Sequence, residues 1–142
     1  FKNLILNKKI TEILANFNFF SSWEEKYEYL IELGRELPAL QQKYKIDNYL
    51  IRGCQSKVWM CCEYKNKKLY FYADSDAMIT KGIVALIIKL YSGLSAKELM
   101  TEDFGVFSKI GLKQHLSMTR ANGLNMMLET IKKYGLNYYK HE

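Results

Sequence analysis

Proline is nearly absent from this 142-residue chain, with Pro38 the single instance, and no Gly-rich or Ser-rich stretch or internal repeat accompanies it. Nothing in the composition therefore marks a linker, and the length fits one domain spanning residues 1–142. Long apolar runs are missing too. The longest, Ile83 to Ile88, ends at Lys89, far short of the roughly 20 residues that cross a bilayer, so no membrane partner is expected. Arginine is scarce: of 21 positive residues only Arg35, Arg52 and Arg120 are not lysine. Base readout and phosphate forks favour Arg, so the net charge of +6 argues only weakly for a nucleic-acid partner. The abundance of Lys, Asn, Ile and Tyr points instead to the codon bias of an AT-rich genome. Cysteines number three, Cys54, Cys61 and Cys62. An odd count with two adjacent is a poor disulfide framework and implies a soluble protein of a reducing compartment. No Cys-x-x-Cys or His-x-x-x-His pair exists, and no Gly-rich loop leads into Lys-Ser or Lys-Thr, so neither a zinc site nor nucleotide hydrolysis is supported. The opening Phe1-Lys2-Asn3-Leu4 lacks the order of a secretory signal. A start at Phe1 rather than Met reads as removal of an upstream segment, such as a targeting peptide.

What is present is apolar material: 49% hydrophobic residues and 14% aromatic are ample for one core. Ile5, Ile10, Ile13, Leu14 and Phe17 predict a first helix over about 3–16, ending near Asn16 to Phe20. Ser22 and Glu25 have the form of a capping box, and Trp23, Tyr27, Leu30, Ile31 and Leu37 carry a second helical stripe that Pro38 stops. Asn48 to Ile51 is a short extended segment, which Gly53 interrupts. Lys57 to Tyr64 reads as a strand, Lys65 to Lys67 as a turn, and Lys68 to Ala73 as the antiparallel return, giving a small sheet of about three strands. Asp74-Ser75-Asp76 is positioned to cap the next helix, which runs through Ile79, Ile83, Leu86, Ile87, Leu90 and Tyr91 to Gly93. Ser95 to Glu98 opens one or two turns that end near Met100. Phe104 to Gly111 is a short helix, and a last long helix starts at Met118 or Thr119, with Gly135 just past its end. The class is α+β.

Cys54 lies in Arg52-Gly53-Cys54-Gln55-Ser56-Lys57. A Gly-flanked polar loop with two cations nearby gives a thiol access and a lowered pKa, as a nucleophile needs; an inert packed cysteine is the other reading, and the residues leave both open. Cys61 and Cys62, in a strand, face opposite sides and read as structural. A metal would have to be held by Cys54, Cys61 or Cys62, His115 and Asp76, with no helpful spacing. His115 with Cys54 would make a hydrolase dyad, but no orienting third residue or oxyanion-hole motif accompanies them, and a packed or capping histidine is the simpler reading. The Lys65, Lys67 and Lys68 cluster is a solvated hairpin tip.

Several blocks in order resemble one family: Trp23-Glu24-Glu25-Lys26-Tyr27, Leu33-Gly34 with Leu37-Pro38, Gly53-Cys54-Gln55-Ser56-Lys57-Val58-Trp59, Asp74-Ser75-Asp76-Ala77 with Lys81-Gly82, and Arg120 leading to Gly123-Leu124. From about Trp23 to Tyr134 the chain resembles SufE, the sulfur acceptor of a cysteine desulfurase in the SUF pathway of iron–sulfur cluster assembly. Met118 stands where the family usually has a proline, which leaves the start of the last helix less rigidly set. Ala73, Thr80 and the Arg120-Ala121-Asn122-Gly123 run are similar to the cyanobacterial and plastid versions. The resemblance implies a SufE-like fold with Cys54 accepting persulfide sulfur. It implies a SufS-type cysteine desulfurase as the enzyme stimulated and a SufBCD-type scaffold complex as the receiver. The chain would then be a carrier and activator rather than an enzyme in the strict sense. Pyridoxal phosphate would sit on the desulfurase, with no cofactor or metal on this chain. Arg120 and Lys57 would stabilise the thiolate and Asp76 would hold the loop at rest; capping or surface ion pairing is the alternative for each. The implied compartment is a plastid-type organelle, an apicoplast or chloroplast stroma, with bacterial cytoplasm as the alternative. Two competing functions are a metal- or cluster-binding scaffold of related fold and a basic nucleic-acid-binding module.

Overall fold

β-Branched and aromatic residues from Val58 onward form β1 (Val58–Lys65), which returns as β2 (Lys68–Ser75) with every residue paired, from Val58 opposite Ser75 to Lys65 opposite Lys68. Asn66 and Lys67 make the turn with φ of 53° and 62°, the left-handed pair whose twist matches that of a two-residue hairpin. This computed structural model describes residues 3–142. Its α+β architecture is helices packed around a hairpin.

Among the described residues the sheet has two strands, not three. The expected third strand shrinks to a single bridge from Leu50 to Trp59, because Asp47–Tyr49 forms a 3₁₀ turn and Gly53, at φ 89°, redirects the chain at once. Asp and Asn favour such turns over extension. A second bridge, Leu69 to Leu94, covers part of the β2 edge.

Seven α-helices surround the hairpin among the described residues. α1 (Leu4–Phe19) ends within the expected Asn16–Phe20 stretch and is capped by the Asn3 side chain, which accepts from the Leu6 N–H. α2 (Trp23–Glu36) starts as expected, with Ser22 accepting from the Glu25 N–H, and ends before Pro38. α3 (Met78–Tyr91) is the central helix, and nine of its residues are buried. That accounts for the unbroken apolar run, since Ile83 to Ile87 are all buried and a stretch covered on every side needs no polar face. α4 (Ala96–Thr101) has the full capping box of Ser95 and Glu98. α5 (Val106–Ile110) stops at Gly111, at φ 85°, and a further short helix that the sequence pattern did not predict, α6 (Leu112–His115), follows. α7 (Met118–Lys140) is the long last helix.

Two expectations about caps fail. The Asp74-Ser75-Asp76 triplet does not cap α3: β2 extends through Ser75, and Ala77 occupies the N-cap position without a side-chain bond. Gly135 does not end α7. It is buried inside the helix, where an added Cβ would lie 3.0 Å from the Leu99 Cβ and 3.1 Å from the Ala96 carbonyl oxygen. A glycine that lets two helices touch and one that ends a helix look alike in sequence. Met118 is the first residue of α7, and the start is fixed instead by Ser117, whose side chain accepts from the Arg120 N–H.

One hairpin face contributes Val58, Met60, Leu69, Phe71 and Ala73 to the core. Cys62 and Tyr64 pack against that core, so strand alternation puts Cys61 on the opposite face. There, between the hairpin and residues 37–49, lies a cavity of about 720 Å3 whose walls include Pro38, Tyr44, Tyr49, Cys61 and Tyr72. Asp74, buried on that side, ties the covering segment down by pairing with Lys45 at 2.9 Å and Lys81 at 3.2 Å. Burial alone would raise the Asp74 pKa; hydrogen bonds from Lys45, the Ser75 N–H and Lys81 outweigh it and hold the carboxyl below its ordinary value.

Candidate functional site

The loop carrying Cys54 springs from the hairpin. Its base is closed by the Ile51 N–H donating to the Val58 carbonyl at 2.8 Å. Gly53 takes a positive φ, which L side chains rarely adopt, and packs against Met126: a Cβ there would sit 2.9 Å from the Met126 Cγ and force that side chain to move. The Cys54 thiol points at α7, with Sγ 3.7 Å from the Gly123 carbonyl oxygen. A Cβ at Gly123 would lie 3.6 Å from that sulfur, so α7 presents bare backbone to the thiol. Beyond Cys54, the Ser56 hydroxyl donates to the Thr80 Oγ1 at 3.0 Å, and the Lys57 N–H donates to the Asp76 carboxylate at 2.9 Å.

A cavity of about 390 Å3 opens at this point, lined by Cys54, Gln55, Ser56, Asp76, Thr80, Thr119, Arg120 and Gly123. The first turns of α3 and α7 both border it, so two helix N-termini bring their partial positive charge to the cavity that holds the thiol.

Of the residues singled out from sequence, the structure brings Cys54, Asp76 and Arg120 to one cavity. Asp76 accepts from the loop backbone at Lys57, and the Lys57 side chain is exposed at the end of the loop. His115 stands apart from this cavity. Its ring stacks on Trp23 with centroids 3.9 Å apart, its Nδ1 lies 2.9 Å from the Gly111 carbonyl oxygen, and its own carbonyl accepts from the Tyr27 hydroxyl. It packs the α2–α6 junction and makes no dyad with Cys54. Among the described residues, no three of His, Cys, Asp and Glu stand together as a metal would require.

The expected lowering of the Cys54 pKa is not found in this conformation. The thiol is half-buried, and burial pushes it up. At neutral pH it is therefore protonated and quiet. Because only the thiolate is alkylated, the rate of Cys54 labelling by iodoacetamide should rise with pH around a midpoint above that of the urea-unfolded chain. A native midpoint at or below the unfolded one would overturn the burial account. All three cysteines are free, and burial also raises Cys61, and raises Cys62 to about 12 with its neighbour Cys61 adding to the effect.

Sequence reasoning missed Thr80, Met126 and the role of Gly123. Gly123 carried a signal, since a glycine inside a helix costs about 1 kcal/mol relative to alanine and so marks a close approach. Thr80 carried none, because a β-branched residue at the head of an apolar helix reads as core.

A model of the SufE family, described as an Fe-S metabolism associated domain, matches residues 11–135. A cysteine desulfuration protein SufE of Wigglesworthia glossinidia brevipalpis is 39% identical over 132 residues, covering 90% of this chain and 92% of that protein. An uncharacterised SufE-like protein of Rhizobium etli is 39% identical over 129 residues, 87% of each. In fold, the chain is similar to the solution structure of a hypothetical protein from Thermus thermophilus, with a TM-score of 0.76 at 17% identity over 93% of this chain and 96% of the other.

Proposed function

The chain belongs to the SufE family, with a sulfur-transfer role in Fe-S metabolism, and from that premise we propose that Cys54 is the acceptor, taking persulfide sulfur from a cysteine desulfurase and handing it to an iron–sulfur scaffold complex. One observation carries the assignment to Cys54: of the three thiols, it alone sits on a loop pinned at its base and held at its tip by a few polar contacts, whereas Cys61 and Cys62 are fixed in β1.

The chemistry needs little else. The Cys54 thiolate attacks the outer sulfur of the enzyme's persulfide. A new S–S bond forms on Cys54 as the enzyme's S–S bond breaks, and the departing enzyme thiolate takes up the proton that Cys54 released. No net oxidation occurs, so no cofactor is required on this chain; pyridoxal phosphate belongs to the desulfurase that makes the persulfide. Deprotonation costs more in the sheltered position, so transfer follows lifting of the loop. Arg120 and the first turns of α3 and α7 line the cavity to which the loaded sulfur returns. Return to the cavity then shields the persulfide from stray reductants. A reducing compartment, whether plastid stroma or bacterial cytoplasm, keeps the acceptor thiol free between rounds.

The test is anaerobic incubation with a cysteine desulfurase and cysteine, followed by peptide mass analysis. The added sulfur should be found on the Cys54 peptide and not on Cys61 or Cys62. Sulfur located only on the strand cysteines, or none at all, would overturn the assignment.

A further inference from the structure

We infer that Thr80 is a positioning residue that latches the Cys54 loop at rest through Ser56, and so sets how often the thiol is presented. The inference deepens the sulfur-acceptor reading and rests on it for its biological meaning. Thr80 lies in the first turn of α3 and is 6% exposed. The residues that follow it inward, Ile83, Val84, Leu86 and Ile87, are apolar. A hydroxyl buried at such a place is costly unless it is bonded, and its bond here is to Ser56, two residues beyond Cys54.

The base and the tip of the loop are held differently. At the base, the Ile51–Val58 hydrogen bond and the Leu50–Trp59 bridge continue the ladder of the hairpin. Toward the tip there are four hydrogen bonds. The thiol bond to Gly123, at 3.7 Å, is long and its donor weak. Lys57 and Asp76 exchange two, the Lys57 N–H donating to the Asp76 carboxylate at 2.9 Å and the Asp76 N–H to the Lys57 carbonyl at 3.2 Å, at the exposed end next to the base. The Ser56–Thr80 pair is the attachment that reaches a buried side chain of the central helix. When the loop lifts, both hydroxyls are wetted together, so this pair contributes about one net hydrogen bond to the cost of release. Such a cost is small enough for a docking partner to overcome and large enough to keep the thiol sheltered in its absence.

Replacing Thr80 by valine keeps the shape and removes the bond, and should raise the presented fraction about two- to tenfold. The experiment follows iodoacetamide labelling of each cysteine by peptide mass in wild type, Thr80→Val, Thr80→Ser, Ser56→Ala and the Thr80→Val/Ser56→Ala double variant. Thr80→Val and Ser56→Ala should each speed Cys54 labelling by about two- to tenfold, with the double variant no faster than either single change, because both remove the same bond. Thr80→Ser should restore a rate close to wild type, and Cys61 and Cys62 should label as slowly as before. Loosening of the whole fold would accelerate all three cysteines alike, and that result overturns the latch. So does an unchanged Cys54 rate in either single variant; if Thr80→Val fails to fold, Ser56→Ala alone decides. Labelling needs no desulfurase, so failure here is distinct from failure of sulfur loading.

Discussion

Cys54→Ser should reduce sulfur loading and desulfurase stimulation to the level of the enzyme alone, a loss of about 100-fold or more, or about 2.7 kcal/mol of activation free energy per 100-fold. Serine fills nearly the same space and keeps a hydrogen-bond donor facing the Gly123 carbonyl, so the loop stays docked and the fold intact. What disappears is the nucleophile. A hydroxyl is not ionised near neutral pH, and no base is placed to deprotonate it: His115 is committed to Trp23 and Gly111, and Asp76 to the Lys57 backbone. Cys61→Ala and Cys62→Ala supply the contrast. Burial raises both thiols, Cys62 to about 12, and both are held in β1. Each variant should still load Cys54. Retention of wild-type stimulation by Cys54→Ser would show that the effect on the desulfurase does not pass through the thiol.

The largest effect on stability should come from one methyl group. At the crossing of α2 and α3 the helices meet through Gly34 and Gly82, and a Cβ at Gly82 would lie 2.3 Å from the Leu30 carbonyl oxygen and 2.6 Å from its carbon. Both are backbone atoms of a regular helix, so relief requires the helices to part. Overpacking a core typically costs 1–3 kcal/mol, and Gly82→Ala should cost about 3 kcal/mol or more, lowering Tm by roughly 10 °C. Gly34→Ala, whose Cβ would be 3.0 Å from the Gly82 nitrogen, should cost less. Gly105→Ala meets chiefly the flexible Asp103 carboxylate, at 3.3 Å, and should stay within about 0.5 kcal/mol of wild type. Urea unfolding of the three variants gives the order; a wild-type midpoint for Gly82→Ala would refute the close crossing. The consequence also reaches the site, because α3 carries Thr80.

The helices were legible wherever periodicity and a cap agreed. Ser22 before Trp23 and Ser95 with Glu98 are local signals, and each marks a boundary in the structure. The errors fall where a residue's role depends on what packs against it from elsewhere in the chain. Gly135 reads as a stop until α4 is seen beside it. Asp74 reads as a cap until Lys45 and Lys81 are found on its carboxylate. Asn48 to Ile51 reads as a strand until the preceding turn leaves only Leu50 to pair. The site divides in the same way. Cys54 was legible because polar flanks and Gly53 are unusual around a packed cysteine. The rise in its pKa was not, because burial against Gly123 depends on a helix far downstream in the chain.

The pinned base of the Cys54 loop has a metrical consequence. Cys54 lies three residues beyond Ile51, and a fully extended chain spans at most about 3.3–3.6 Å per residue. The thiol is therefore a weight on a leash of roughly 10 Å anchored to the hairpin. If Cys54 is the acceptor, a protein whose sulfur lies within that radius of the seated surface could exchange with it, whereas one whose thiol is recessed more deeply would be out of reach. On the sulfur-acceptor reading proposed above, the leash would filter clients by the depth of their clefts before any side chain is compared.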